Sequence, residues 1–287
     1  MNILFVGVFD TNKKSTNTSQ LLAFKKNGHK VTGYNYRIKA AVIGNNKRDL
    51  HLINVIKNNN FDLIVFSKCN VVDYAVFEQA AKITKTCLWF MDPLTSYTEE
   101  MRKKTSLVSF FCCDKLNVLN EAKLINKNSF QVCEGFDETV DKVFKNKECY
   151  DVSFIGNMYG ERLNMIKNVK HNIRIVNNVF GEEHAQEVSK TKINLNFCTN
   201  QGASDRVYKI MAAGGFLLTN DWIGRDKDFV DGKDLIIFED SEDLNNKISF
   251  YLKSENERKI IAENGKNKVQ RFNRVGWAKK IVECSYE

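Results

Sequence analysis

The chain reads as an α/β protein of two parallel-sheet domains facing a cleft, and three observations predict it. Short apolar runs alternate with helix-period patterns from one end to the other, as right-handed β–α–β crossovers require. At 287 residues the chain exceeds the usual single-domain size and has room for two units of about 100–150 residues, each with its own core. The alternation lapses over Val132–Lys147, in Cys133-Glu134-Gly135-Phe136-Asp137 and the polar stretch after it, and then resumes. The expected domains are therefore 1–140 and 141–272, followed by a final helix at 273–287.

Ile3–Val8 is apolar without alternation, as a strand covered on both faces must be. Ser19–Asn27 follows as a helix ended by Gly28, and His29–Tyr34 as the second strand. Phe61–Phe66, Thr86–Phe90 and Leu107–Cys113 continue the sheet, with helices at about Lys47–Lys57, Val72–Lys82, Tyr97–Lys104 and Asp114–Asn126. From Tyr150 the second series runs strand Val152–Ile155, helix Glu161–Val169, strand Asn172–Val176, helix Glu183–Ser189 and strand Ile193–Phe197. Helix Asp205–Ala213 and strands Phe216–Thr219 and Leu235–Phe238 come next. The end is helical, in Leu244–Leu252, Glu255–Phe272 and Val275–Cys284.

Composition narrows the function classes. Hydrophobic residues at 43% and charged residues at 27% describe a chain able to bury a core, which argues against disorder. Its longest apolar runs fall far short of the roughly 20 residues that span a bilayer. Met1 and Asn2 lead directly into a strand pattern without a basic leader, so the expected location is the cytoplasm. The eight Cys are scattered, with only Cys112 and Cys113 adjoining, and show neither a zinc spacing nor a disulfide framework; buried thiols are expected at Cys69, Cys87, Cys113 and Cys198. The net charge of +8 suits an anionic partner such as a nucleotide or nucleic acid, but the Lys are dispersed.

In open parallel sheets, ligands bind beyond the carboxyl ends of the strands, where helix N-termini point their amides outward. The richest such segment is Lys192–Phe197, the polar loop Cys198–Ser204 and the helix from Asp205 to Ala213 that closes on Gly214-Gly215. Gly202, Ala203 and Ser204 open that helix, where amides and the positive dipole end suit a phosphate, and Arg206 adds a charged fork. An ordinary helix capped by Ser or Asp has the same look.

Here the chain resembles the C-terminal domain of GT-B glycosyltransferases, particularly the spore-maturation-protein-like group related to the large family 4. The likeness runs on through Phe216-Leu217-Leu218-Thr219, Phe229–Gly232, Ile237-Phe238-Glu239-Asp240 and Glu257–Gly265, and takes in Phe154-Ile155-Gly156 with Arg162 downstream. In the first half, Leu21–Val31 and Trp89-Phe90-Met91-Asp92-Pro93 are similar to the group's corresponding segments. The resemblance implies the GT-B arrangement of two Rossmann-like parallel-sheet domains, residues 1–140 presenting an acceptor and 141–272 gripping a nucleoside diphosphate sugar such as a UDP-sugar. It also implies that the helix at 273–287 crosses back to brace the first domain. Such enzymes need no metal, because amides and basic residues stabilise the leaving diphosphate.

On that footing Gly156, Arg162, Gly202, Ser204, Arg206 and Lys209 are the candidate donor-binding residues. One position departs from the family, which has Glu where this chain has Lys209. A charged Lys is a donor only, so it cannot accept the ribose hydroxyls; either Lys209 meets phosphate or the site has lost its usual nucleotide. Arg162, early in a helix, also fits a solvated surface residue. Asp92, held by a turn before the chain's one Pro, is a candidate general base or a turn-forming Asp, and Asp10 after the first strand is a similar candidate. Lys13, Lys14 and Ser15 offer contacts to acceptor or phosphate. His29 reads as structural, and His51, His171 and His184 form no metal spacing; no metal is expected. Asp226-Lys227-Asp228 reads as a solvated face. The leading expectation is a glycosyltransferase whose acceptor is a glycan, small molecule, protein or DNA; the alternatives are a non-catalytic nucleotide- or sugar-binding module and a DNA-modifying glycosyltransferase.

Overall fold

Two parallel sheets organise the computed structural model, which describes residues 1–10, 15–158 and 160–287. Lys13 and Lys14 lie outside the described residues. The chain divides into one unit of Met1–Glu134 with Arg274–Glu287 and a second of Gly135–Asn273.

In the first unit the order is β1 (Asn2–Gly7), α1 (Thr16–Lys26), β2 (Lys30–Asn35), α2 (Tyr36–Ile43), α3 (Asn45–Lys57), β3 (Leu63–Ser67), α4 (Tyr74–Ala81) and β4 (Lys85–Phe90). α5 (Glu99–Leu107), β5 (Phe110–Cys113), α6 (Leu116–Ile125) and β6 (Ser129–Gln131) complete it. The six strands pair in the order β2-β1-β3-β4-β5-β6. Strand side chains alternate between faces, so the uninterrupted apolar runs build two cores. Leu4, Val6, Ile64, Phe66, Leu88 and Phe90 fill one, and Ile3, Phe5, Leu63, Val65, Cys87 and Trp89 the other.

In the second unit β7 (Tyr150–Ile155), α7 (Glu161–Ile166), β8 (Arg174–Val176), α8 (Glu182–Ser189), β9 (Thr191–Asn196) and α9 (Asp205–Ala212) lead into β10 (Leu217–Asn220) and β11 (Ile236–Phe238). α10 (Ser241–Lys253) and α11 (Glu255–Val269) follow. The strand order is β11-β10-β9-β7-β8, with β7 and β9 neighbours in the middle of the sheet. Phe154, Ile193, Leu195, Phe197, Leu218 and Ile248 are among its core residues. Gly265 allows α11 to press on the loop before β11, because a Cβ there would stand 2.3 Å from the Asp234 carbonyl oxygen.

The last helix, α12 (Arg274–Cys284), returns to the first unit and lies beside α1. Trp277 places its ring 5.2 Å from Phe24 and 5.4 Å from Trp89, both edge-on.

The sequence places the domain boundary at 140, whereas the chain parts after Glu134. The reason is local: Phe136 N–H donates to the Phe272 carbonyl at 3.0 Å and Phe136 bridges Asn273, which fastens the segment after Gly135 to the second unit. α2 and the short edge strand β6 lie outside the expected set. The strand expected over 107–113 begins only at Phe110, because α5 continues to Leu107. Cys69, Cys87, Cys113 and Cys198 are buried thiols. No helix among the described residues is long and apolar enough to cross a membrane.

Candidate functional site

The carboxyl ends of β7 and β9 carry the densest constellation of functional groups in the second unit. β9 ends at Asn196, fully buried, whose side-chain oxygen accepts from Ser204 Oγ at 3.0 Å and from Arg206 Nη1 at 2.8 Å. The Asn196 amide nitrogen donates to Thr219 Oγ1 at 3.0 Å on the neighbouring strand, so the residue is oriented from both ends. Asn220 holds the loop that follows: its side chain accepts from Cys198 N–H at 2.7 Å and donates to the Cys198 carbonyl at 2.9 Å. Asn200 and Gln201 then turn through left-handed backbone, with φ of 52° and 56°, which costs energy and is kept only where the surroundings enforce it. Gly202 N–H closes the turn on the Thr199 carbonyl at 3.2 Å.

Ser204 is the N-cap residue of α9, yet its hydroxyl makes no capping bond to the helix, being turned onto Asn196 instead. The plain capped-helix reading of this motif therefore does not describe it. Arg206 lies with its guanidinium carbon 4.9 Å from the centre of the Phe154 ring, and Arg162 approaches the same ring at 5.8 Å. Arg162 is 6% exposed and donates to the Asn157 carbonyl at 2.9 Å, so it is no solvated surface residue. Gly156, at the end of β7, has φ of +145°, and a Cβ there would meet Arg206 Nη2 at 2.7 Å. Only glycine suits both the backbone and the space. Lys209, one turn into α9, forms an ion pair with Asp205. The structure thus gathers Gly156, Arg162, Ser204 and Arg206 around Phe154 and Asn196, while Lys209 faces Asp205.

Three residues at this site went unassigned in the sequence: Asn196, Asn220 and His184. The first had a signal, since Asn194 and Asn196 alternate with Ile193, Leu195 and Phe197 in a strand buried on both faces. His184 on α8 is buried, and its Nδ1 has no hydrogen-bond partner among the described residues. Burial chiefly, helped by the charges of Lys209 and Arg206, pushes its pKa down to about 3, so the ring is neutral at pH 7.

In the first unit, Lys68 and Cys69 after β3 take left-handed φ of 58° and 54°. Two fully buried cations grip this turn from beneath. Lys104 Nζ donates to the carbonyls of Cys69 at 3.1 Å and Asn70 at 2.8 Å, and Arg48 Nη2 donates to that of Val71 at 2.5 Å. Lys68 Nζ consequently meets Asp92 Oδ1 at 2.5 Å, with both side chains partly exposed. Lys115 Nζ donates to the Met91 carbonyl at 2.6 Å and to Asp114. Burial opposes that charge, but Asp114 and Glu134 outweigh it and raise the pKa. Asp10 is exposed and shares hydrogen bonds with Thr18. β3 lies between β1 and β4, so one strand separates the ends after which Asp10 and Asp92 follow. His29 sits at the start of β2, its ring beside Phe24, and Asp228 pairs with Arg271 at 2.6 Å. Among the described residues no three His, Cys, Asp or Glu converge as metal ligands do.

A family model described as glycosyl transferase-like matches residues 137–281. No curated protein matches the chain. Among solved structures, Anabaena HepE in complex with UDP-glucose superposes with a TM-score of 0.72 at 12% identity, covering 99% of this chain and 98% of that one. Sucrose-phosphate synthase from Thermosynechococcus elongatus gives 0.69 at 11% identity over 98% and 97%. A glycosyltransferase from Rickettsia africae gives 0.66 at 12% identity over 99% and 97%.

Proposed function

The chain belongs to the glycosyl transferase-like family, and from that premise we propose that its second unit binds a nucleoside diphosphate sugar, a UDP-sugar first among the candidates. The observation that carries the reading is the pair Arg206 and Arg162 around Phe154, with Arg206 and Ser204 both anchored on Asn196 at the end of a central strand. Two guanidinium groups fixed before the reaction, beside the N-terminus of α9, stabilise the charge that builds on a departing diphosphate without reorganising. Gly156 leaves the room that Arg206 occupies. HepE has the same fold and holds UDP-glucose. On this reading no metal is needed for the leaving group.

The acceptor belongs to the first unit, where Asp92 is the candidate base and Lys68 its positioning partner; Asp10 is the second candidate. A panel of nucleotide sugars screened by thermal shift and by donor hydrolysis tests the proposal. Stabilisation and turnover by one donor are the expected results, with turnover about 100-fold lower and the thermal shift smaller in Arg206→Gln. A panel that neither binds nor turns over removes the reading. Lys209, paired with Asp205, favours a second reading, a module that binds the nucleotide without transfer, because a charged Lys donates only and cannot accept ribose hydroxyls as a carboxylate at this position would. Binding without turnover across the whole panel would select it.

A further inference from the structure

The same unit contains a cavity at the amino-terminal edge of its sheet, opposite the strand ends described above. It measures about 250 Å³ and opens where the start of β9, the Gly214-Gly215-Phe216 turn and α11 meet. Ligand pockets for drug-sized molecules run from roughly 300 Å³ upward, so this one suits something smaller. Gly215 keeps the turn tight, since a Cβ there would meet Val188 Cγ1 at 2.5 Å and Asn194 Nδ2 at 2.9 Å.

One wall is Arg258, whose side chain is 5% exposed. Its Nη1 donates to the carbonyls of Tyr251 and Leu252 near the end of α10. Its Nη2 stands 3.7 Å from Glu148 Oε2, outside hydrogen-bond length, and neither Nη2 nor Nε donates to any described residue. A guanidinium has five N–H donors, so several of those on Arg258 are left for water or a ligand in the cavity it lines. Lys192 and Lys259 line the same cavity with their own carboxylate partners Asp151 and Glu255, and Glu263 is engaged by Lys266 at 2.6 Å. The open edge of Arg258 is therefore the group here that lacks a close partner, and it presents the planar fork that an oxyanion fits.

We propose that this cavity binds a small oxyanion-bearing metabolite, a phosphate monoester or a carboxylate, on the free edge of Arg258 with Lys192 at its flank. Glu148 competes with the ligand for that edge. The site is independent of the donor site and stands or falls separately from it. Inorganic phosphate and acetate, each titrated by calorimetry into the full chain and into Arg206→Gln, test the proposal. The expected result is binding of at least one anion that survives Arg206→Gln, weakens roughly tenfold or more in Lys192→Gln and Arg258→Gln, and tightens in Glu148→Gln. Phosphate binding with acetate silent would identify a phosphate ester, and binding of acetate would identify a carboxylate. Arg258 also secures the end of α10, so Lys192→Gln and Glu148→Gln, which leave that anchor in place, decide the matter if Arg258→Gln misfolds. Failure of both anions to bind, binding lost in Arg206→Gln, or binding that Lys192→Gln and Glu148→Gln leave unchanged, overturns it.

Discussion

Asn196 concentrates the geometry of the donor loop in one amide. Its oxygen is the common acceptor for Ser204 and Arg206, and its nitrogen fixes the amide on Thr219. Asn196→Ala leaves a half-buried hydroxyl and guanidinium without that acceptor, so a loss of about 1–3 kcal/mol is expected, read by urea unfolding, together with weaker nucleotide binding. Gly156→Ala acts from the other side, forcing a side chain into φ of +145° and against Arg206, and is expected to cost about 1–3 kcal/mol. His184 makes the site sensitive to acid. Its folded pKa, about 3, lies below the ordinary 6.5, so the unfolded chain binds the extra proton between those values. Stability from this group is complete above pH 6.5 and is lost as pH falls toward 3, by an amount on the order of 5 kcal/mol. Chemical denaturation across that range should show the decline, and His184→Gln should flatten it; an unchanged slope would contradict the assignment. These roles were unevenly legible in the sequence. Arg206 and Gly156 were marked by their place after strands, whereas Asn196 went unassigned although its polarity within a buried strand was a signal. His184 was not, because a lone histidine on a helix gives no sign of the cations that tertiary packing brings beside it.

Elements were easiest to read where apolar runs were long. β1, β3 and β4 each bury side chains on both faces, and that pattern survives in the sequence as runs without alternation. β6 was invisible because it is a three-residue edge strand with no hydrophobic run to announce it. α2 was missed because it is short and buries only Tyr36, so little apolar periodicity marks it. The turn after β3 was equally hidden: its left-handed residues are a Lys and a Cys, neither a usual turn residue, and they hold that shape through Lys104 and Arg48. Lys104→Met removes the donor from two carbonyls and is expected to destabilise the protein by about 2–3 kcal/mol, loosening the placement of Lys68 on Asp92 as well. A methionine variant with unchanged unfolding midpoint would show that the clamp is not needed.

At the scale of the molecule, the chain leaves its first unit at Glu134 and re-enters it at Arg274, so the terminal helix belongs to the sheet that the N-terminus began. The division into two parallel-sheet units was legible because the alternation of patterns stops and restarts; the residue at which it falls was not, since the Phe136 bond to Phe272 joins positions far apart in sequence. This connectivity makes the two units separable by perturbation. Trp277 on α12 packs against Phe5, Phe24 and Trp89, all of the first unit, and Trp277→Ala should cost that unit about 3–5 kcal/mol through the lost contacts and the space left behind. A UDP-sugar held by the second unit should stabilise that unit alone, by about 2.7 kcal/mol at a ligand concentration 100 times its dissociation constant. Calorimetry of the full chain should then show Trp277→Ala lowering one transition and the nucleotide sugar raising the other. If the ligand instead raised the transition that Trp277→Ala lowers, while leaving the second in place, the donor would have to be sought among the loops of β1 to β5.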